Sequence, residues 1–230
     1  SFAGYSFERP EDTFPEILEP GDGEAIYDAT EVAHPLIPRA TAVRNTVLLG
    51  VPSPKPQAPG PKPQAPRVLI VSGSNMAGKS TLMRTIGLNA VLALAGAPVR
   101  ARQLRLSPLV LGTCLRHTDS LREGRSGFFT EVLRIRQVCD LLERPGRVLF
   151  LFDELLSGTN SKDRRTAAEA LVRMLVARHA IGVVTTHDLA LTEIAAILPD
   201  AVKSVHLQDH VENGQMRFDC VRVNGTTSRL

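Results

Sequence analysis

Three groups of residues in this sequence have the types and spacing to do chemistry on a phosphate. The first is Gly73, Ser74, Asn75, Met76, Ala77, Gly78, Lys79, Ser80 and Thr81, which fits G-x-x-x-x-G-K-S. Glycines in such a loop let backbone N–H groups converge on phosphate oxygens, and a helix starting there adds its positive end. The lysine then bridges the β- and γ-phosphates, and the Ser80 hydroxyl is a ligand for Mg²⁺. The second group is Asp153 and Glu154, which follow the apolar run Val148 to Phe152. A carboxylate at the end of a neighbouring strand holds Mg²⁺ from the side opposite the loop, the role assigned to Asp153. Glu154 points elsewhere and can orient or deprotonate an attacking water. The third is His187 in "VVTTHD", just past another apolar run, where it can reach a γ-phosphate. Taken singly, acids and histidines at strand ends are commonly structural. Cys114, His117, His179, His206 and His210 have no comparable context and receive no role.

These residues need particular elements to position them. "RVLIVSG" (67–73) reads as the strand before the loop, and "KSTLMRTIGLNAVLALAG" as the helix after it, ending at Gly96 with Pro98 beyond. "RVLFLFDE" and "AIGVVTTH" are continuous apolar runs, the pattern of strands buried on both faces of a parallel sheet. "SGFFTEVLRIRQVCDLLE" and "KDRRTAAEALVRMLVARH" have helical spacing, and Asp188 can cap "LALTEIAAIL". "TVLLGV" (46–51) is an earlier strand, and two strands flank the turn signal Asn213-Gly214. Between Lys79 and Asp153, 74 positions apart, the pattern predicts two helices and a basic loop. Strand–helix alternation with hairpins at both ends predicts an α/β domain with a parallel sheet and antiparallel additions at both ends.

A chain of 230 residues, 43% hydrophobic, is long enough for one substantial core. No apolar stretch approaches the roughly 20 residues of a membrane span. It begins at Ser1 without a charged-then-apolar leader and reads as a fragment of a longer protein. Three scattered cysteines indicate neither a disulfide framework nor a zinc site, which suits a reducing cytoplasm. Residues 1–34 carry nine acids against Arg9 alone, a balance of −8, which leaves +11 on the rest of a chain whose total is +3. That basic remainder can attract nucleotide or nucleic acid, or can simply be a solvated surface. Residues 1–31 read as an acidic lead-in and 32–230 as the domain proper. Residues 52–66 hold seven of the 16 prolines and "PKPQAP" twice; they read as an exposed loop insertion, with a ligand for a partner as the alternative.

In combination these motifs resemble the ATPase domain of the MutS family of DNA mismatch-repair and recombination proteins. The likeness lies in "GSNMAGKSTLMRTIGLNAVLALAGAPVRA", "EGRSGFFTEVLRI" (the S-x-F-x-x-E segment), "FDELLSGTNSKDR", "TTHDLALTEIA" and "HPLI" (34–37), over roughly residues 32–225. The resemblance implies a P-loop NTPase of the ABC-ATPase type that binds ATP or ADP with Mg²⁺. It further implies a homodimer with composite sites, in which Ser126 acts in trans on the partner's γ-phosphate and "SGTN" (157–160) lines the seam. DNA would be handled by parts of the full-length protein outside this chain. The aromatic residue that stacks on adenine in the family has no equivalent; the matching stretch is "TAVRN" (41–45), where Val43 offers an apolar contact. Ser74 and Ala77 replace a proline and a glycine of the family's loop, and "ELLSGTNSKDR" looks closer to divergent bacterial MutS-like proteins than to the mismatch-repair type "EIGRGTSTYDG". Two alternatives stand beside this reading. One is a switch that dimerises on ATP without hydrolysing it, against which Glu154 and His187 argue. The other is an SMC- or transporter-type cassette, against which the missing "LSGGQ" argues.

Overall fold

The computed structural model describes residues 12–19, 24–50, 65–74, 76–115, 127–212 and 215–221. Among the described residues there are ten strands: β1 Glu16–Ile17, β2 Tyr27–Val32, β3 Asn45–Leu49, β4 Val68–Gly73, β5 Gln103–Leu106, β6 Leu109–Cys114, β7 Arg147–Phe152, β8 Ile181–Thr186, β9 Val202–Glu212 and β10 Gln215–Val221. The helices are α1 Lys79–Leu94, α2 Gly127–Leu141, α3 Ser161–Ala177 and the short α4 Ile194–Ile197, preceded by a 3₁₀ turn over Leu189–Glu193.

The central sheet has six strands in the order β10-β9-β4-β8-β7-β6. All neighbours in it are parallel except β9 and β10. The apolar runs account for this, because strands covered on both faces have no polar side to show. Their side chains divide by alternation. Leu69, Val71, Leu149, Leu151 and Val183 enter one core with Leu82, Met83 and Ile86 of α1. Val68, Ile70, Val148, Phe150 and Val184 enter the other with Val138 of α2 and Ala168, Val172 and Leu175 of α3. The loops at the carboxyl ends of β4, β7 and β8 therefore meet along one edge, the usual place for a ligand in an open α/β sheet.

A second sheet, ordered β1-β5-β2-β3, packs Tyr27, Ala29, Val47, Leu49, Leu104 and Leu106 onto the α1 side of the core. β2 is antiparallel to β3 and β5, whereas β1 runs parallel to β5. The amino-terminal addition is thus a separate layer rather than an extension of the central sheet. At the other end β9 joins the parallel set, and only β10 is antiparallel.

Two expectations need correction. The stretch between α1 and α2, read as a basic loop, contains β5 and β6. In "QLRL" the two leucines are buried while Gln103 is exposed, a period of two that Arg105 disguises. Residues 1–31, read as a lead-in, include β1 and most of β2, so a boundary at 32 falls inside a strand. Acidic composition does not prevent pairing here, because Tyr27 and Ala29 face inward and Asp28 outward beside Arg105. Residues 1–11 and 51–64, the latter covering nearly all of the proline-rich insertion, lie outside the described residues, as do Asn213 and Gly214.

Candidate functional site

β4 delivers the chain into the phosphate loop at Gly73, whose φ is +148°. A Cβ there would sit 2.6 Å from the Leu207 carbonyl oxygen, so the residue must be glycine for steric as well as conformational reasons. Met76 and Gly78 also have positive φ, 77° and 87°. Ala77 turns into the core while Met76 is 79% exposed. Gly78 caps α1 without a side-chain hydrogen bond, and no acid stands in the first turn. The helix thus presents its positive end and its unsatisfied N–H groups to the loop. Lys79 is buried, and its Nζ donates to the carbonyls of Gly73 and Ser74, both at 2.7 Å. An ammonium has three donors, so the loop is curled around the charge with donor capacity remaining. Burial lowers the Lys79 pKa, against the opposing pull of Glu154 and Asp153. Ser80 and Thr81 continue the first turn of α1, and Asn75 lies outside the described residues.

β7 ends at Phe152, which leaves Asp153 buried at the sheet edge. Its Oδ1 accepts from Ser80 Oγ at 3.0 Å and from Thr185 Oγ1 at 2.6 Å, and its N–H donates to the Cys114 carbonyl at 2.9 Å. A hydroxyl and a carboxylate in hydrogen-bond contact are the hard oxygen donors that suit Mg²⁺, so Ser80 and Asp153 fit the ion assigned to them. Among the described residues, no group of three or more His, Cys, Asp or Glu could hold a metal. The protein's share of such a site would be this pair, with phosphate oxygens and water completing it, as Mg²⁺ prefers.

Beyond Asp153 the chain makes a strained turn. Glu154 and Leu156 have φ of 53° and 55°, the left-handed region that costs a residue with a side chain about 1–3 kcal/mol. Side chains from three other elements hold it. Thr185 Oγ1 accepts from the Glu154 N–H at 2.9 Å, and Glu131 Oε1 of α2 accepts from the Leu156 N–H at 2.5 Å. Arg164 of α3 donates from Nε to the Leu156 carbonyl at 3.0 Å, and from Nη2 to those of Ser157 (3.3 Å) and Thr159 (2.8 Å). The turn ends at Asn160, whose Oδ1 caps α3 by accepting from the Asp163 N–H at 3.0 Å. Gly158 packs against Phe128, whose Cβ lies 2.9 Å from where a Cβ on Gly158 would stand.

The strain aims Glu154 into the site, with its side chain about 10% exposed and Oε2 at 3.9 Å from His187 Nδ1. His187 follows β8, half exposed, and Asp188 after it caps the 3₁₀ turn by accepting from the Ala190 N–H at 3.0 Å. Lys79, Ser80, Asp153, Glu154 and His187 therefore lie along one edge. Val43 lies just before β3 of the second sheet and is 45% exposed. Ser126 lies outside the described residues.

Sequence reading missed Thr185, Glu131, Arg164 and Asp188 as parts of this site. Each left a trace: a threonine inside a buried strand, the glutamate of S-x-F-x-x-E, and an arginine four residues before Ala168 on the buried stripe of α3. In the sequence Asp188 reads as a cap alone. The turn "HPLI" is held by Arg100 and by α1. Arg100 Nη1 donates to the carbonyls of His34, at 2.8 Å, and Ile37, and buried Asn89 of α1 bridges Ala33 and the Arg100 N–H.

Comparison with known proteins agrees with this arrangement. The model of MutS domain V matches residues 69–229. The Endonuclease MutS2 of Thermus thermophilus is 31% identical over 204 residues, 88% of this chain and 24% of that protein. The DNA mismatch repair protein MutS of Brevibacillus brevis is 32% identical over 208 residues, 89% of this chain and 22% of its own length. The Endonuclease MutS2 of Thermomicrobium roseum is 28% identical over 223 residues, 92% and 25% respectively. The chain spans about a quarter of each of these relatives. With the family model covering the phosphate loop, the acidic turn and the histidine strand, the chain belongs to the MutS family and comprises its domain V, an α/β P-loop ATPase-type domain.

Proposed function

We propose that this domain binds ATP with Mg²⁺ and hydrolyses it, and that the cycle drives DNA handling by other parts of a longer protein. The observation that carries this reading is the junction of α1 with β7: Ser80 bonded to Asp153, with Lys79 in the loop before and Glu154 in the turn after. Lys79 exchanges its loop carbonyls for β- and γ-phosphate oxygens and offsets charge that grows as the terminal phosphoryl leaves. Glu154 accepts a proton from the attacking water, and His187 beside it steadies the γ-phosphate. Ser80 and Asp153 would hold Mg²⁺, which would supply charge neutralisation for the phosphates. The products are ADP and phosphate. The named relatives, an endonuclease and a mismatch repair protein, support a role in DNA repair or recombination.

The active form we propose is a homodimer in which Ser126 of each copy completes the other's site, in the cytoplasm. Phe128 packed on Gly158 supports this, since it places the start of α2 beside the 157–160 segment. The test mixes two variants. Ser126→Ala should bind ATP but turn over slowly, and Lys79→Ala should not bind. A mixed dimer keeps one intact composite site, so mixing should restore part of the turnover. Absence of recovery in mixtures shown to form mixed dimers would mean that each site is completed within one chain. Absence of Mg²⁺-dependent ATP binding by the unaltered chain would overturn the whole reading.

A further inference from the structure

The guanidinium of Arg164 touches two segments that arrive from different strands. Through Nε and Nη2 it holds the carbonyls of Leu156, Ser157 and Thr159 in the turn after β7. Through Nη1 it reaches Asp188 Oδ2 at 3.2 Å, in the turn after β8. The pair is largely shielded, with side chains 11% and 16% exposed. Glu154 stands two residues before the first segment's anchor, and His187 one residue before Asp188. The two groups expected to act on the γ-phosphate and its water are thus carried by backbone that one side chain joins.

We propose that Arg164 is a positioning residue, a rigid brace that sets Glu154 and His187 relative to one another so that the two turns move as one body. This rests on the ATPase reading for its catalytic meaning but not for its mechanical content. A planar fork with five donors suits the task, because it can hold several carbonyls and a carboxylate in one plane, whereas a lysine offers a single point charge. The adjacent pair Arg165–Glu193 also joins α3 to the segment after β8, at 2.8 Å, but its side chains are 41% and 58% exposed. Solvent screens such a pair to little effect. Arg164 carries the coupling and Arg165 does not.

The test has two arms. Hydrogen exchange on the unaltered chain, Arg164→Met, Asp188→Asn and Arg165→Ala, without nucleotide, reads the brace directly. Arg164→Met should speed exchange at Leu156–Thr159 and at Asp188–Leu191 together, by about tenfold or more. Asp188→Asn keeps the helical cap and Arg164's bonds to the first turn, so it should loosen the same two segments to a lesser degree and still fold if Arg164→Met does not. Arg165→Ala should change neither. Loosening of only one segment, or of neither, would overturn the brace. The second arm is single-turnover hydrolysis with ATP affinity measured in parallel. Arg164→Met and Asp188→Asn should lower the rate by about tenfold or more while ATP Kd stays within about threefold. Arg164→Lys should recover little of it. His187→Ala combined with Arg164→Met should be no worse than the poorer single variant, because both disable the same unit. Additive losses, or a fall in affinity equal to the fall in rate, would sink the positioning role. An unaltered chain that binds ATP but never hydrolyses it would sink the ATPase reading, and the exchange arm would still decide the brace.

Discussion

The phosphate loop and the acidic turn face each other across the site, yet they are held in opposite ways. The loop from Gly73 to Lys79 is largely held by its own residues: positive-φ glycines, a methionine left in solvent, and a lysine bonded to carbonyls five and six positions before it. The turn from Asp153 to Asn160 contains two strained residues with side chains, and contacts to them come from Thr185, Glu131 and Arg164, which are 31, 25 and 8 positions away. A loop fixed locally can be carried intact wherever a strand and a helix meet. A turn fixed from outside has its shape only when β8, α2 and α3 are all in place. That dependence makes the turn the part of the site able to report on the state of the rest of the domain, and the loop the part that binds regardless.

If that division is right, substitutions in the loop should act on binding and those in the turn on rate. The largest effect is expected for Lys79→Ala. It removes the main charge opposed to the phosphates, and ATP binding by calorimetry should fall by on the order of 100-fold or more, since hydrogen bonds to charged groups contribute about 1.5–3 kcal/mol each. Unchanged affinity would mean that Lys79 remains on its loop carbonyls and the binding half of the contrast is mistaken. Glu154→Gln should leave affinity near that of the unaltered chain and slow single-turnover hydrolysis by about 10²-fold, the scale of a lost general base. Should the rate survive, the strained turn serves some other end.

Two changes test the structural side of the contrast. Gly73→Ala forces a methyl group against the Leu207 carbonyl at a positive φ, and should cost at least about 2 kcal/mol in denaturant unfolding, more than an ordinary surface change. Thr185→Val keeps the shape but removes the hydroxyl that donates to Asp153 and accepts from the Glu154 N–H. Its cost should be about 1–3 kcal/mol, with a loss of turnover exceeding the loss of ATP affinity. Equal losses of both would show that Thr185 serves the metal-binding side more than the turn.

The same contrast governs what could be read in the sequence. The loop, the two buried strands that end at Asp153 and near His187, and the helices were legible because their signals are local: glycine placement, apolar runs and helical spacing. The second sheet was only partly legible. β5 alternates correctly, but Arg105 on its half-exposed face masks the pattern, and β2 begins inside an acidic stretch whose composition resembles a tail. The strained turn was legible only as a pair of acids. Nothing in "DELLSGTN" requires Glu154 and Leu156 to take positive φ, since neither is glycine or asparagine, and the residues that hold them there are close in space but not in sequence. In the sequence nothing separates Arg164 from surface charge at the start of a helix; its role shows only in its burial on the face that carries Ala168, Val172 and Leu175.

The smallest effect, and the most discriminating, concerns Glu131. Burial raises its pKa above the ordinary 4.5, while the Leu156 N–H and Arg164 pull the other way without cancelling the shift. The folded chain therefore takes up this proton at a higher pH than the unfolded chain does. The stability so contributed is fully present below the unfolded value and is lost as pH rises through the folded one. Glu131→Gln keeps an oxygen to accept from Leu156 and removes the titration. At neutral pH two terms then oppose each other: relief from burying a charge, and exchange of a charge-assisted bond for a neutral one. The bond exchange costs about 1 kcal/mol and the relief offsets part of it, so the net change should stay within about 1 kcal/mol. The clearer sign is in Tm against pH. From about pH 4.5 upward the unaltered chain should lose ground relative to the variant, and the difference should level off above the folded pKa. If the variant instead loses several kcal/mol at neutral pH and its hydrolysis collapses, the ionised carboxylate is what keeps Leu156 in its strained conformation. The turn would then depend on charge from α2 as well as on the fork from α3, a sharper form of the same contrast with a loop that needs neither.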